Sequence, residues 1–214
     1  MAVIVLAGTI GAGKSSLTAL IANRLGSEAF YESVDDNEVL PLFYAEPEKY
    51  AFLLQIYFLN KRFDSIKQAL THENNVLDRS IYEDSLLFHL NADLGRANET
   101  EVKVYDDLLQ NMLQELPYAA HKKSPDLLVH IRISFPKMLE RIKKRGRPYE
   151  QIETDPTLYD YYQMLNERYD QWYEDYDESP KIQIDGDKYD FVEDPEACQY
   201  VLALIEKKIE ELER

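Results

Sequence analysis

The sequence has 214 residues, of which 45% are hydrophobic, and its 24 basic and 40 acidic residues give a net charge of −16. This length and hydrophobic content suit one domain with a full core, expected here to span residues 1–214. The charge argues against nucleic acid or an anionic membrane as main partner, and a single cysteine, no cationic leader and no apolar run of about 20 residues favour a cytoplasmic location.

The predicted elements alternate between short apolar strands and longer helices. Each strand has polar residues at its carboxyl end, and prolines and glycines mark several helix boundaries. Strands are predicted over 3–7, 29–32, 76–78, 127–131 and 182–185, and helices from the first glycine loop to Leu25 and over 47–70, 81–89, 99–116, 136–145, 156–176 and 195–212. This order predicts a five-stranded parallel sheet flanked by helices.

The first predicted loop carries the clearest motif. Residues 8–15 fit the pattern GxxxxGK(S/T) between a strand and a helix, a context that disfavours the alternative of an incidental glycine-rich turn. The backbone N–H groups of such a loop point at phosphate oxygens. The chain is therefore expected to bind ATP or GTP, with Lys14 on the outer phosphates and the Ser15 hydroxyl on Mg²⁺. The predicted loop residues are Gly8, Thr9, Ile10, Gly11, Ala12, Gly13, Lys14, Ser15 and Ser16.

Carboxylates follow two other predicted strands, at the edge where ligands of open parallel sheets gather. Asp78 ends one strand directly before Arg79, and either serves a phosphate-bound Mg²⁺ or caps the next helix with Arg79 as its ion-pair partner. Glu32 ends another strand and begins an acidic loop over 32–36. It either accepts a proton from an attacking hydroxyl or is a solvated loop acid.

Two further patterns allow a structural and a functional interpretation. The cationic run 141–147 is either a solvated helix face or part of a lid, at about 141–151, whose arginines close over polyphosphate. Gln55 and Arg62 lie two turns apart on one face of a long, otherwise largely apolar helix. They belong to a buried salt bridge or meet a nucleobase, which offers donors and acceptors in one plane.

Together these motifs resemble the deoxyribonucleoside kinases, most closely the bacterial deoxyadenosine and deoxyguanosine kinases. The resemblance covers nearly the whole chain. It rests on the phosphate loop, Tyr31-Glu32, Tyr44 with Gln55 eleven residues later, Asp78-Arg79-Ser80, Arg141, Arg145-Gly146-Arg147 and Glu150. It implies a P-loop NTPase fold of nucleoside-monophosphate-kinase type, a homodimer, and Mg²⁺-dependent transfer of the γ-phosphoryl of ATP to the 5′-hydroxyl of a purine deoxynucleoside.

The resemblance also implies roles for single residues. Glu32 would accept the hydroxyl proton while Arg79 orients it, and Ser15 and Asp78 would serve Mg²⁺. The other implied catalytic residues are Lys14 and the lid residues Arg141, Arg145 and Arg147. The implied deoxynucleoside contacts are Tyr44 and Glu150 on the sugar, Gln55, Arg62 and Asp84 on the base edge, and Phe88 on the base face. The implied contacts of the donor base are Asp187, Lys188, Tyr189, Asp190 and Phe191.

Two alternatives to this function stay open at the level of the sequence. A Gln/Arg/Asp set can be rotated to suit another base, so a deoxycytidine or thymidine preference is compatible with it. A nucleotide-dependent switch would use the phosphate loop without any acceptor site, and would leave Tyr44, Glu150 and Phe88 without a small-molecule role.

Overall fold

Five parallel strands form one sheet in the computed structural model, which describes residues 3–32, 37–69, 75–119 and 125–212. The strands are β1 (Val3–Ala7), β2 (Glu28–Phe30), β3 (Asn75–Asp78), β4 (Leu127–Arg132) and β5 (Lys181–Asp185). Their spatial order is β2-β3-β1-β4-β5, with parallel pairing throughout. The chain thus leaves the central β1 to one side and later crosses to the other, which places the carboxyl end of β1 where the strand order reverses.

Eight α-helices accompany the sheet in the described parts of the chain. They are α1 (Lys14–Leu25), α2 (Leu40–Ala45), α3 (Pro47–Ala69), α4 (Ile81–Asp93), α5 (Glu99–Ala119), α6 (Phe135–Arg145), α7 (Leu158–Asp175) and α8 (Pro195–Leu212), with a 3₁₀ turn at Pro148–Glu150. The predicted parallel sheet with flanking helices is confirmed. The prediction missed α2, and the predicted strand 29–32 ends two residues early, at Phe30.

Burial explains why the strands form. Ile4, Leu6, Leu127 and Val129 have no exposed surface, because helices cover both faces of the central strands. A separate apolar cluster joins α3, α4 and α5 around Leu59. No helix of the described residues is long and apolar enough to cross a membrane. Residues 33–36 of the predicted acidic loop and the predicted last residue of the long helix, Leu70, lie outside the described residues.

Candidate active site

A cavity of about 510 Å³ opens at the carboxyl edge of the sheet. The phosphate loop, the lid arginines, α2, α3 and Tyr161 all contribute to its lining. The predicted site residues in the lining are Ile10, Gly11, Gly13, Lys14, Ser15, Ser16, Glu32, Tyr44, Gln55, Asp78, Arg79, Arg141, Arg145, Arg147 and Glu150. Lining residues that had no predicted role are Tyr31, Leu40, Phe43, Leu54, Phe58, Leu87 and Tyr161.

Close packing explains the glycines of the phosphate loop. Gly8 has a φ of 145°, and a Cβ atom there would lie 2.6 Å from the carbonyl oxygen of Ile131. Gly13 has a φ of 97°, and its Cβ would lie 3.1 Å from the ring of Phe191. A side chain at either position would require the loop or its neighbours to move, so glycine fixes the path of the backbone.

Lys14 lies at the centre of this loop. Its ammonium donates to the carbonyl oxygens of Gly8, at 2.8 Å, and Thr9, at 3.1 Å. Burial and then the nearby charge of Arg79 lower the pKa of Lys14 to about 8. The loop residues Thr9 and Ala12 are buried and do not line the cavity. A cation so little solvated is suited to a polyanionic ligand, which would raise this pKa again.

Asp78 and Ser15 meet as the motifs predict. The Ser15 hydroxyl donates to Oδ2 of Asp78, while Oδ1 of Asp78 is buried and has no hydrogen-bond partner among the described residues. The alternative that Asp78 caps α4 is wrong, because Ser80 caps that helix in a capping box with Glu83. A hydroxyl beside an unpartnered carboxylate oxygen is a suitable donor set for Mg²⁺ that also binds phosphate oxygens.

Glu32 is held between two buried arginines. Its Oε1 accepts from Nη2 of Arg62 at 2.8 Å and lies 2.9 Å from Nε of Arg79. Burial opposes ionisation of Glu32, but Arg79 and Arg62 together outweigh it and lower its pKa to about 2. The alternative of a solvated loop acid is therefore wrong, since the side chain is only 13% exposed. The carboxylate stays ionised at neutral pH.

Arg79 has an unusual backbone conformation. Its φ of 83° is the only positive φ of a non-glycine residue in the described part of the chain. Such a conformation costs about 1–3 kcal/mol and persists only where the surroundings enforce it. The backbone N–H of Arg79 donates to Leu6 at 3.0 Å, and its side chain bonds the hydroxyl of Tyr169 at 2.8 Å. Sequence reasoning missed Tyr169, because 90 residues separate it from Arg79.

Arg62 and Asp84 lie behind the cavity rather than in its lining. Nε of Arg62 donates to Asp84 at 3.3 Å, and Nη1 donates to the carbonyl oxygen of Asp78 at 2.9 Å. Burial raises the pKa of Asp84 to about 6, although Arg62 acts against this shift. In this conformation Arg62 binds the carboxylates of Glu32 and Asp84 and one backbone carbonyl. Its contact with a base stays a prediction.

The structure separates the cationic run 141–147 into two kinds of residue. Lys143 and Lys144 are exposed and form ion pairs with surface glutamates, as expected of a solvated helix face. The arginines turn toward the cavity. Arg141 donates to the carbonyl oxygens of Ala12, at 3.0 Å, and Gly186, at 2.9 Å.

Glu150 pairs with the other two lid arginines. Its carboxylate accepts from Nη2 of Arg145 and lies 3.5 Å from Nη1 of Arg147. The backbone carbonyl of Glu150 accepts from the hydroxyl of Tyr162 at 3.0 Å. Tyr162 also hydrogen-bonds Tyr44. The pKa of Tyr44 is raised above its ordinary value, mainly by burial. The predicted sugar-binding pair, Tyr44 and Glu150, thus lies together at the cavity wall.

The predicted base contacts are in different positions. Gln55 lines the cavity, and its Oε1 is buried without a hydrogen-bond partner among the described residues. Phe88 is fully buried outside the lining, with its ring 4.6 Å from that of Tyr105. The rings of Phe43 and Phe58 line the cavity instead. Stacking of a base on Phe88 therefore stays a prediction.

The predicted donor-base segment lies beside the phosphate loop and outside the cavity lining. Phe191 packs against Gly13, and Asp187 accepts from the backbone N–H of Ser134 at 3.0 Å. The ring of Tyr189 packs against that of Tyr200, with 4.8 Å between the ring centroids. This segment borders the site of the nucleotide without completing it, and its contact with the donor base stays a prediction.

A phosphate loop at the reversal point of a parallel sheet, facing a pocket with a buried carboxylate, defines a P-loop kinase. Residues 4–210 match the family model described as deoxynucleoside kinase. A deoxyguanosine kinase of Lactobacillus acidophilus is 62% identical over 212 residues, which are 99% of this chain and 92% of that protein. A deoxyadenosine kinase of the same species is 55% identical over 210 residues, 98% of this chain and 97% of that one.

A solved structure agrees with these relatives. The deoxyadenosine kinase from M. mycoides with bound dATP superposes with a TM-score of 0.79 at 32% identity, covering 98% of this chain and 100% of that one. The chain therefore belongs to the deoxynucleoside kinase family. It is an enzyme, and the resemblance inferred from its motifs is confirmed.

Proposed function

We propose that this enzyme transfers the γ-phosphoryl group of ATP to the 5′-hydroxyl of a purine deoxynucleoside, either deoxyadenosine or deoxyguanosine. The main support is the set of residues that line the cavity. Lys14 with the phosphate loop, Gln55 with its unpartnered buried oxygen, and Glu32 all line this one cavity. The names of the deoxyguanosine and deoxyadenosine kinases among its relatives support a purine. A pyrimidine preference and a nucleotide-dependent switch are not favoured.

At the phosphate end, the predicted loop residues and Lys14 would grip the triphosphate, with Arg141, Arg145 and Arg147 contributing positive charge. Ser15 and Asp78 would hold Mg²⁺, which supplies further neutralisation of phosphate charge when it is bound. Phosphoryl transfer needs little covalent chemistry from the protein, so preorganised positive charge is the main contribution.

At the acceptor end, Glu32 would accept a hydrogen bond from the 5′-hydroxyl. With a pKa of about 2 it is a weak base before the reaction, so its first task is orientation of the hydroxyl toward the phosphate. Tyr44 and Glu150 would hold the 3′-hydroxyl. Gln55 would bond the base edge directly, because an amide offers both a donor and an acceptor. Arg62 and Asp84 would act from behind it, and Phe88 would support the base face.

A homodimer and a cytoplasmic location complete the proposal. Leu53 on α3 is 47% exposed and Val104 on α5 is 49% exposed, and the two helices pack against each other. These exposed apolar side chains are the support for association of two copies. Sedimentation of the purified protein tests it, and a monomer at micromolar concentration would contradict it.

The decisive experiment is a panel of four deoxynucleosides and their ribonucleoside counterparts, incubated with ATP and Mg²⁺ and scored for 5′-monophosphate. We expect product mainly from deoxyadenosine or deoxyguanosine. Omission of Mg²⁺ and replacement of ATP by GTP, one at a time, test the metal and the donor. Hydrolysis of ATP that is independent of every acceptor would instead indicate the switch.

A further inference from the structure

Two buried side chains outside the cavity lining, Glu83 and Tyr169, connect segments that meet at the active site. Glu83 lies in the first turn of α4 and has no exposed surface. Tyr169 lies on α7 and is 3% exposed. The contacts of both side chains converge on Arg79, which does line the cavity.

The carboxylate of Glu83 makes more contacts than helix capping requires. Its Oε2 accepts from the backbone N–H of Ser80 at 2.7 Å, which completes the capping box of α4. Its Oε1 accepts from the backbone N–H of Gly8 at 3.2 Å and from the hydroxyl of Tyr169 at 2.8 Å. One carboxylate therefore ties together the start of the phosphate loop, the turn that follows Arg79, and α7.

The hydroxyl of Tyr169 links Glu83 to Arg79 through two hydrogen bonds. It donates to Glu83 and accepts from Nη1 of Arg79 at 2.8 Å. Nε of the same guanidinium lies 2.9 Å from Glu32. Because the guanidinium is planar and rigid, fixing one edge of it on Tyr169 sets the direction of the edge that faces Glu32.

We propose that Glu83 and Tyr169 are positioning residues for phosphoryl transfer, which hold Arg79 and, through Arg79, the carboxylate of Glu32. The proposal rests on the proposed role of Glu32 toward the 5′-hydroxyl. Glu83 also bonds Gly8, so the loop that grips the donor and the carboxylate that orients the acceptor share one anchor. Groups that orient a catalytic side chain in this way commonly matter for turnover more than for substrate binding.

Tyr169→Phe tests the proposal, because it keeps the buried ring and removes only the hydroxyl. We expect kcat to fall about 10- to 100-fold, as for other residues that orient functional groups, while KM for ATP and deoxynucleoside stays within about threefold. Tyr173→Phe is the matched control. Tyr173 lies one turn further along α7, and its hydroxyl makes no hydrogen bond within the described part of the chain. The kcat of the Tyr173→Phe enzyme should therefore equal that of the wild type. A kcat of Tyr169→Phe within about twofold of the wild type would overturn the proposal.

A double-mutant cycle with Glu32→Gln distinguishes a positioning role of Tyr169 from a merely structural one. If Tyr169 acts through Glu32, Tyr169→Phe should cause little further loss of kcat in the Glu32→Gln background. Independent, multiplicative losses would overturn the proposal. Glu83→Gln keeps the size of the side chain and gives the same test should Tyr169→Phe fail to fold. Slow turnover of Glu32→Gln with normal turnover of Tyr169→Phe overturns only the positioning role, whereas normal turnover of Glu32→Gln overturns the proposed role of Glu32 as well.

Discussion

Replacement of Glu32 by glutamine is expected to separate turnover from folding. The substitution keeps the shape of the side chain and removes the negative charge of the carboxylate. That carboxylate would orient the 5′-hydroxyl and accept its proton. We expect kcat to fall by roughly 10²- to 10⁴-fold, equivalent to about 3–5 kcal/mol of transition-state stabilisation, with KM within a few-fold of the wild type.

The stability cost of Glu32→Gln should be smaller than this. Lowering of the Glu32 pKa from 4.5 to about 2 corresponds to about 3 kcal/mol, which is an upper limit for what ionisation of Glu32 contributes at neutral pH. Arg62 would keep its contact with Asp84, and Arg79 its bond to Tyr169. Neither guanidinium is left unpaired, so the loss in the free energy of unfolding should stay below the ~3–5 kcal/mol of an uncompensated buried charge.

Steady-state kinetics and urea unfolding of the same preparations check both numbers. Glu38→Gln provides the control, since it is the same substitution at an exposed residue of the same connection between β2 and α2. A Glu32→Gln enzyme with near-normal kcat would remove Glu32 from the mechanism. Loss of activity that only follows loss of folded protein would reduce Glu32 to a structural partner of two arginines.

Three further predictions concern phosphate binding, base recognition and acid stability. Lys14→Ala should abolish transfer and leave the melting temperature nearly unchanged; activity and melting temperature falling in parallel would indicate a structural role instead. Asp84→Ala should lower kcat/KM unequally for deoxyadenosine, deoxyguanosine and deoxycytidine, because a wrong base leaves buried polar groups unpaired at about 1–3 kcal/mol each; equal losses would leave only an ion pair with Arg62. Burial lowers the pKa of His130 from 6.5 to about 4, so the stability that neutral His130 provides is present above pH 6.5 and lost toward pH 4. Between pH 7 and 5 this loss amounts to about 2 kcal/mol, and urea unfolding of His130→Phe should lack it relative to the wild type.

The fold could be predicted because its strands and helices follow simple periodicities. Buried parallel strands appear as short apolar runs, and long amphipathic helices lie between them. The helix α2 was missed because Leu40–Ala45 spans only six residues, too few to show a helical period. Glu32 was placed at the end of a strand, but β2 stops at Phe30, and the two following residues carry the carboxylate over the cavity.

The polar pair of the long helix shows what spacing alone leaves open. Gln55 and Arg62 were expected to share a face and either form a buried salt bridge or meet a base. The structure places the two side chains differently, and the contact of Gln55 with a base stays a prediction. Gln55 lines the cavity, while Arg62 forms ion pairs with Glu32 and Asp84. A periodicity predicts the face of a helix, but the partners on that face come from other elements.

The contacts missed from the sequence are those that join distant segments. Glu83 has the position and residue type of a capping glutamate, and that role is real, so nothing local indicates its second set of partners. Tyr169 lies among several tyrosines on α7, and the helix pattern does not separate it from tyrosines that only pack. The available signal was chemical, because a buried tyrosine hydroxyl requires a hydrogen-bond partner. For Tyr169 this partner identifies a role that the helix pattern alone conceals.

The phosphate end of the cavity also shows how its two substrates could depend on one another. The protein's own oxygens hold its cations: carbonyls hold Lys14 and Arg141, and the carboxylate of Glu150 holds Arg145. A triphosphate that took over Arg145 would leave Glu150 with Arg147 alone, at 3.5 Å. Under the proposed function, Glu150 is the carboxylate needed by the 3′-hydroxyl of the acceptor. Opening of the Arg145–Glu150 ion pair would then link donor and acceptor binding, since it would release a cation for one substrate and a hydrogen-bond acceptor for the other.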